Sequence, residues 1–109
     1  LHVDDLLALL RLQIMNIDRY RGDVFNVGGG DQNISLLELT KLCQDRSGKS
    51  VPIKSVTKTR IGDVRIYITN NAKITDLSGW KPKKTLRMTV SDVHRWIEDN
   101  KSTLFSILE

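Results

Sequence analysis

Most elements predicted from the hydrophobic pattern are helices. A first helix is predicted from Val3 to about Asn16, because five apolar residues repeat on one helix face: Val3, Leu6, Leu7, Leu10 and Ile14. Ser35 and Glu38 form the pattern of a capping box, which starts a second helix that ends near Gly48. A short helix is predicted over 71–77. Thr85 caps a last helix, whose apolar face is formed by Leu86, Val90, Val93 and Ile97.

Three shorter segments have the composition of strands. The run 24–27 is apolar and is closed by three glycines, which suits a buried strand. A weaker strand is predicted over 51–56, with Pro52 near its start. Apolar and polar residues alternate over 64–69, as in a half-buried strand. The predicted order is therefore α-β-α-β-β-α-α, and the predicted fold class is α/β.

Length and composition fit an ordinary globular domain. The chain has 109 residues, of which 39 % are hydrophobic and 28 % charged. Its single cysteine, Cys43, cannot form an internal disulfide and shares a helix face with Leu36 and Leu39, so we expect a packed thiol. No apolar run spans a bilayer and no signal peptide opens the chain, so we expect a cytoplasmic protein without a membrane partner. The chain starts at Leu1 and runs directly into a helical pattern, which predicts a piece of a longer protein.

The run Gly28–Gly30 lies between a predicted strand and a predicted helix, which is the setting of a dinucleotide-binding turn. That fingerprint needs a further glycine where this chain has Asn33, and the helix starts only after Ser35. We therefore interpret the run as a sharp turn that needs a positive φ, and we predict no cofactor site in the isolated chain.

A basic loop over 58–65 is the second candidate site. Arg60 and Arg65 are permanent cations whose guanidinium groups suit phosphate, and Asp63 can accept hydrogen bonds from sugar hydroxyls. From the residues alone, a substrate loop and a solvated basic loop are equally supported.

Other residues favour structural roles. His2 with Asp4 and Asp5 fits the start of a helix better than a metal or acid–base site, since no second histidine lies nearby, and we predict no metal site. Trp80 and Trp96 are interpreted as core anchors. No catalytic constellation is recognisable. The net charge of +4 leaves nucleic-acid binding as a less favoured alternative, because aromatic residues make up only 6 % and the charges are scattered.

Five segments, in this order and spacing, resemble the C-terminal part of the NAD-dependent nucleotide-sugar epimerases and dehydratases, which are extended short-chain dehydrogenases/reductases. They are His2–Leu6, Phe25–Gly30, Ser35–Leu39, Thr59–Arg65 and Gly79–Lys83. The resemblance implies that 1–30 end the nucleotide-binding sheet and that 31–109 form a substrate-binding domain. It also implies that Arg60 contacts the pyrophosphate and Asp63 the ribose, with Arg65 and Tyr67 as neighbours. Relatives often carry an acidic residue where this chain has Asn70 and Asn71.

The resemblance implies a substrate-binding portion of an epimerase, with a CDP-sugar as the preferred substrate. The catalytic Tyr-x-x-x-Lys is missing, since Tyr20 is followed at the fourth position by Val24 and Tyr67 by Asn71. We therefore expect no activity of the chain alone, weak binding of a nucleotide-sugar, and NAD only in a full-length parent. The alternative is a non-catalytic module that forms homo-oligomers through the apolar face of the first helix.

Overall fold

The computed structural model describes residues 1–56 and 61–108, and the elements in these ranges are helices. The helices are α1 (Val3–Met15), α2 (Ile17–Tyr20), α3 (Leu36–Ser47), α4 (Ala72–Ser78), α5 (Leu86–Asp99) and α6 (Lys101–Leu108). The four helices predicted from periodicity and capping are confirmed as α1, α3, α4 and α5. In the described ranges no helix is both long and apolar enough to cross a membrane.

The predicted α/β fold class is wrong, because the described residues contain no strand and no sheet. A strand is completed by backbone pairing with a second strand, and none of the predicted segments 24–27, 51–56 and 64–69 has such a partner among them. The apolar face of the predicted strand 64–69 is also not buried: Val64 is 72 % exposed and Ile66 is 77 % exposed. Without a buried face, the alternation over 64–69 supplies no driving force for a sheet.

Local hydrogen bonds explain where the helices begin and end. Ser35 Oγ accepts the Glu38 N–H, and the Glu38 carboxylate accepts the Ser35 N–H, so the predicted capping box is present. α3 and α4 each end at a glycine in the left-handed region, Gly48 with φ +68° and Gly79 with φ +72°. At the start of α5, the Thr85 side chain accepts the Met88 N–H, as predicted for a cap.

The chain divides into two compact units, and each unit is built from two separate segments of the sequence. The first unit contains Leu1–Asn33 and the described residues of Ser55–Lys84, and includes α1, α2 and α4. Its core consists of four buried residues, with four more apolar side chains packed against them: Leu9, Tyr20, Ile74 and Trp80, then Leu12, Phe25, Val27 and Leu77. Trp80 is thus confirmed as a core anchor. The predicted division into 1–30 and 31–109 stays a prediction.

The second unit contains Ile34–Lys54 and the described residues from Thr85 onward, and its apolar side chains are less well covered. α3 packs against α5, where Leu42 and Val90 line a small cavity of about 200 Å³. Neither helix contains a buried residue. Trp96 is 56 % exposed and Cys43 is exposed, so the predictions of a core anchor and a packed thiol are wrong at these positions.

Candidate functional site

A buried carboxylate connects α1 to the segment that follows α4. Asp5 is 6 % exposed; its Oδ1 accepts the Lys83 N–H and its Oδ2 accepts the Lys84 N–H, each at 3.0 Å. The carbonyl oxygen of Asp5 accepts the Trp80 Nε1–H at 3.1 Å. Burial alone would raise the pKa of Asp5, but the two N–H donors and the nearby charge of Lys84 outweigh it and lower the pKa. The carboxylate is therefore ionised at neutral pH and fixed by the backbone of 83–84.

His2 is the cap of α1. Its Nδ1 accepts the Asp4 N–H at 3.0 Å, which requires an unprotonated nitrogen. The same Nδ1 lies 3.6 Å from the Asp4 carboxylate, and the two groups would form an ion pair only if Nδ1 carried a proton. We favour the cap, because its geometry is that of a hydrogen bond. Within the described ranges no group of three or more His, Cys, Asp or Glu side chains could hold a metal ion.

The glycine run is held by the side chain of Asn71. Asn71 Oδ1 accepts the Gly28 N–H at 2.9 Å, and Asn71 Nδ2 donates to the Gly28 carbonyl at 3.0 Å. One amide side chain therefore satisfies both backbone groups of Gly28, as a neighbouring strand would. A Cβ added at Gly28 would lie 2.5 Å from Thr69 Cβ, so only glycine fits there. The predicted need for a positive φ is confirmed at Gly30, where φ is +65°.

Beside this contact lies an open cleft of about 590 Å³ in the first unit, which we call the Asn71 cleft. Its walls are the turn after Gly28, the segment before α4, part of α4, and the Lys81–Pro82 dipeptide. Most of its polar side chains are amides and hydroxyls: Gln32, Asn33, Thr69, Asn70, Asn71 and Thr75. Its charged groups are Asp31, Asp76 and Lys81, so carboxylates outnumber cations. This lining suits a neutral polyhydroxylated group better than a diphosphate.

The structure describes three of the four predicted site residues. Arg60 lies outside the described residues. Asp63, Arg65 and Tyr67 are exposed, Tyr67 by 83 %, and their side chains form no hydrogen bond or ion pair with other residues of the described part of the chain. They also do not line the Asn71 cleft, although the chain continues from Tyr67 directly into the cleft wall at Ile68.

Asp5 and Asn71 are the residues whose roles the sequence did not reveal. Each contacts a backbone segment far along the chain, 78 and 79 positions away for Asp5 and 43 for Asn71. Hydrophobic periodicity carries no signal for such contacts. The only available signal was that the segments His2–Leu6 and Gly79–Lys83 occur together in the resemblance, and the structure shows that they touch.

The chain is related to nucleotide-sugar epimerases and dehydratases. The similarity to these proteins fits a fragment of a nucleotide-sugar epimerase of the short-chain dehydrogenase/reductase family. The resemblance predicted from the sequence is therefore confirmed. The chain is 32 % identical over 97 residues to CDP-paratose 2-epimerase of Salmonella typhi, a match that covers 88 % of the chain and 28 % of that protein.

Two further relatives give the same result. The chain is 28 % identical over 102 residues to dTDP-glucose 4,6-dehydratase of Streptomyces antibioticus, with 94 % of the chain and 30 % of that protein covered. It is 30 % identical over 104 residues to UDP-glucose 4-epimerase of Cyamopsis tetragonoloba, a match that covers 92 % of the chain and 28 % of that protein. The chain thus spans less than a third of the length of these relatives. No protein-family model and no solved structure matches it.

Proposed function

We propose that the chain is the substrate-binding portion of an NAD-dependent nucleotide-sugar epimerase, that its preferred ligand is a CDP-sugar, and that it is inactive alone. The observation that carries the proposal is the similarity to CDP-paratose 2-epimerase over 88 % of the chain, which includes the segment with Arg60 and Asp63. The missing Tyr-x-x-x-Lys supports a role in recognition rather than in chemistry.

The turn at Gly28 does not suit the pyrophosphate of NAD. A pyrophosphate at a glycine turn needs free backbone N–H groups and open space. Here the Gly28 N–H is already bound by Asn71, and Thr69 occupies the space beside Gly28. We therefore assign no step of the reaction to this turn, and NAD belongs to the proposal only for a full-length parent.

In the proposal, the basic loop supplies the positive charge that a diphosphate needs, because carboxylates outnumber cations in the Asn71 cleft. Arg60 and Arg65 bind the diphosphate, because guanidinium groups donate two parallel hydrogen bonds to phosphate oxygens. Asp63 accepts from the ribose hydroxyls, and Tyr67 is a neighbouring contact. The exposure of Asp63, Arg65 and Tyr67 supports this role, since side chains committed to other contacts would not be available to a ligand.

Calorimetric titration of the 109-residue chain with CDP, a CDP-hexose and UDP tests the proposal. One charge-assisted contact contributes about 1.5 to 3 kcal/mol, so Arg60→Ala is expected to weaken CDP binding by about 10- to 100-fold. Lys54→Ala is the matched control, because it removes one exposed positive charge outside the Arg60–Asp63 segment. Binding by Arg60→Ala that equals that of the parent chain would contradict the assignment. Equal affinity for CDP and UDP would contradict the CDP preference alone.

A further inference from the structure

The segment that follows the basic loop is fixed to the glycine turn within the first unit. Asn71 Oδ1 accepts the Gly28 N–H at 2.9 Å, and Asn71 Nδ2 donates to the Gly28 carbonyl oxygen at 3.0 Å. Gly28 is buried, and the Thr69 side chain lies directly beside it, since a Cβ added at Gly28 would be 2.5 Å from Thr69 Cβ. We call this contact of Gly28 with Thr69 and Asn71 the Gly28 contact.

The chain that follows the Gly28 contact is also held in place. α4 begins directly after Asn71, whose carbonyl oxygen accepts the Thr75 N–H at 2.9 Å. Near the start of α4, Lys73 Nζ donates to Asp23 Oδ1 at 2.7 Å and to the Val24 carbonyl oxygen at 3.1 Å. The chain is therefore fixed from the Gly28 contact onward.

In the described part of the chain, the residues just before the Gly28 contact lack comparable contacts. The side chains of Asp63, Arg65 and Tyr67 are exposed and form no hydrogen bond or ion pair with other described residues. Tyr67 lies two residues before Thr69 and Arg65 four, so their Cα atoms are at most about 7 and 14 Å from that of Thr69. The Gly28 contact is thus the nearby fixed point for two side chains of the proposed nucleotide-sugar site.

We propose that Asn71 is a positioning residue for the nucleotide-sugar site, because it maintains the Gly28 contact and thereby restricts where Arg65 and Tyr67 can lie. The inference rests on the proposed function, which assigns these two side chains to the ligand. The Asn71 amide already binds Gly28, so its effect on the ligand is transmitted through the backbone that leads back to Tyr67.

The physical basis is the conformational entropy that a ligand must remove from the loop. A loop that is held near its bound conformation before binding loses less backbone freedom when the ligand arrives. Without the Asn71 side chain, Thr69 and the residues before it gain freedom that binding must then remove. Releasing the backbone of one residue is expected to weaken binding by about 10-fold.

Calorimetric titration of the 109-residue chain with CDP is the test. Asn71→Ala removes both hydrogen bonds to Gly28 and is expected to bind CDP about 10-fold more weakly than the parent chain. Asp5→Asn is the matched control, because it removes a hydrogen bond to the backbone of 83–84 in the same unit and leaves the Gly28 contact unchanged. Both variants destabilise the first unit, but Asp5→Asn is expected to bind CDP like the parent chain.

Gly28→Ala disrupts the same contact from its other side, without a change in the basic loop or in Asn71. A methyl group at position 28 would overlap the Thr69 side chain, so the segment with Thr69 and Asn71 must move. This variant is also expected to bind CDP about 10-fold more weakly. The double variant Gly28→Ala/Asn71→Ala is expected to bind no more weakly than either single variant, because both substitutions remove one shared contact.

Circular dichroism of each variant establishes that it is folded, and Gly28→Ala keeps the test decisive if Asn71→Ala does not fold. Parent-like binding by Asn71→Ala, when binding by the parent chain depends on Arg60, would overturn this inference and leave the proposed function standing. Equal weakening in Asp5→Asn would also overturn it, because loss of stability would then explain the effect. So would a double variant that binds about 100-fold more weakly, as two independent effects would. A parent chain that does not bind CDP would overturn the proposed function and this inference with it.

Discussion

Asp5→Asn is the substitution that tests most directly what holds the first unit together. Asparagine has the shape of aspartate but offers one acceptor oxygen, so it can bind only one of the Lys83 and Lys84 N–H groups. The other N–H then faces an NH2 group, which is also a donor. Loss of one charge-assisted hydrogen bond, together with a buried donor that has no acceptor, gives an expected loss of about 2 to 4 kcal/mol in the free energy of unfolding.

Urea denaturation followed by Trp80 fluorescence measures this loss. The chain has two tryptophans, and Trp96→Phe leaves Trp80 as the single fluorophore, buried in the first unit and donating its Nε1–H to Asp5. Parent and variant are therefore compared in the Trp96→Phe background. Asp4→Asn is the matched control: its side chain is 59 % exposed, and the expected change is below about 0.5 kcal/mol.

The pH dependence provides a second measurement of the same contact. The pKa of Asp5 in the folded chain lies below its ordinary value of 3.8, which applies to the unfolded chain. The unfolded chain therefore takes up the proton first as the pH falls. The contribution of Asp5 to stability is complete above pH 3.8 and is lost as the pH falls through the lower folded-state pKa. The difference between parent and Asp5→Asn should narrow in that window.

Two results would refute this reasoning. One is an Asp5→Asn variant that unfolds at the same urea concentration as Asp4→Asn, which would mean that the two N–H groups find other acceptors. The other is a difference between parent and Asp5→Asn that stays constant as the pH falls well below 3.8, which would mean that the carboxylate charge contributes nothing.

Two further substitutions probe local contacts in the two units. Asn71→Ala removes both hydrogen bonds to Gly28 and is expected to cost about 1.5 to 3 kcal/mol by Trp80 fluorescence in the same background; an unchanged urea midpoint would contradict the role of Asn71. Ser35→Ala removes the cap of α3 and is expected to cost about 1 kcal/mol in the second unit, measured by far-ultraviolet circular dichroism, with Ser50→Ala as an exposed control. Equal unfolding curves for Ser35→Ala and Ser50→Ala would contradict the capping box.

The helices could be predicted from the sequence because their determinants are local. Ser35 and Glu38 are three residues apart, and the side chain of each accepts the N–H of the other. The start of α3 can therefore be predicted from residues within one turn. Gly48 and Gly79 end their helices with a positive φ that other residues adopt only at a cost. In each case the interacting groups lie within about four residues of one another.

The strands could not be predicted correctly because a sheet needs a distant partner. The alternation over 64–69 shows that one face could be buried, but it does not show what would bury it. In the structure Ile66 and Ile68 are 77 % and 59 % exposed, and the segment has no neighbouring strand in the described part of the chain. Near Gly28 the backbone is satisfied by the Asn71 side chain instead, a solution that no local pattern indicates.

In α1, hydrophobic periodicity predicts the helix correctly but does not predict which of its faces packs against the core of the first unit. The face with five aliphatic residues is the more apolar by sequence, yet the structure buries the face that contains Asp5, Leu9 and Leu12. A carboxylate reads as polar in any hydrophobicity pattern, but two backbone N–H donors make its burial favourable here. The core is formed by that face, and on the other face Val3, Leu7 and Ile14 are 61 %, 45 % and 72 % exposed.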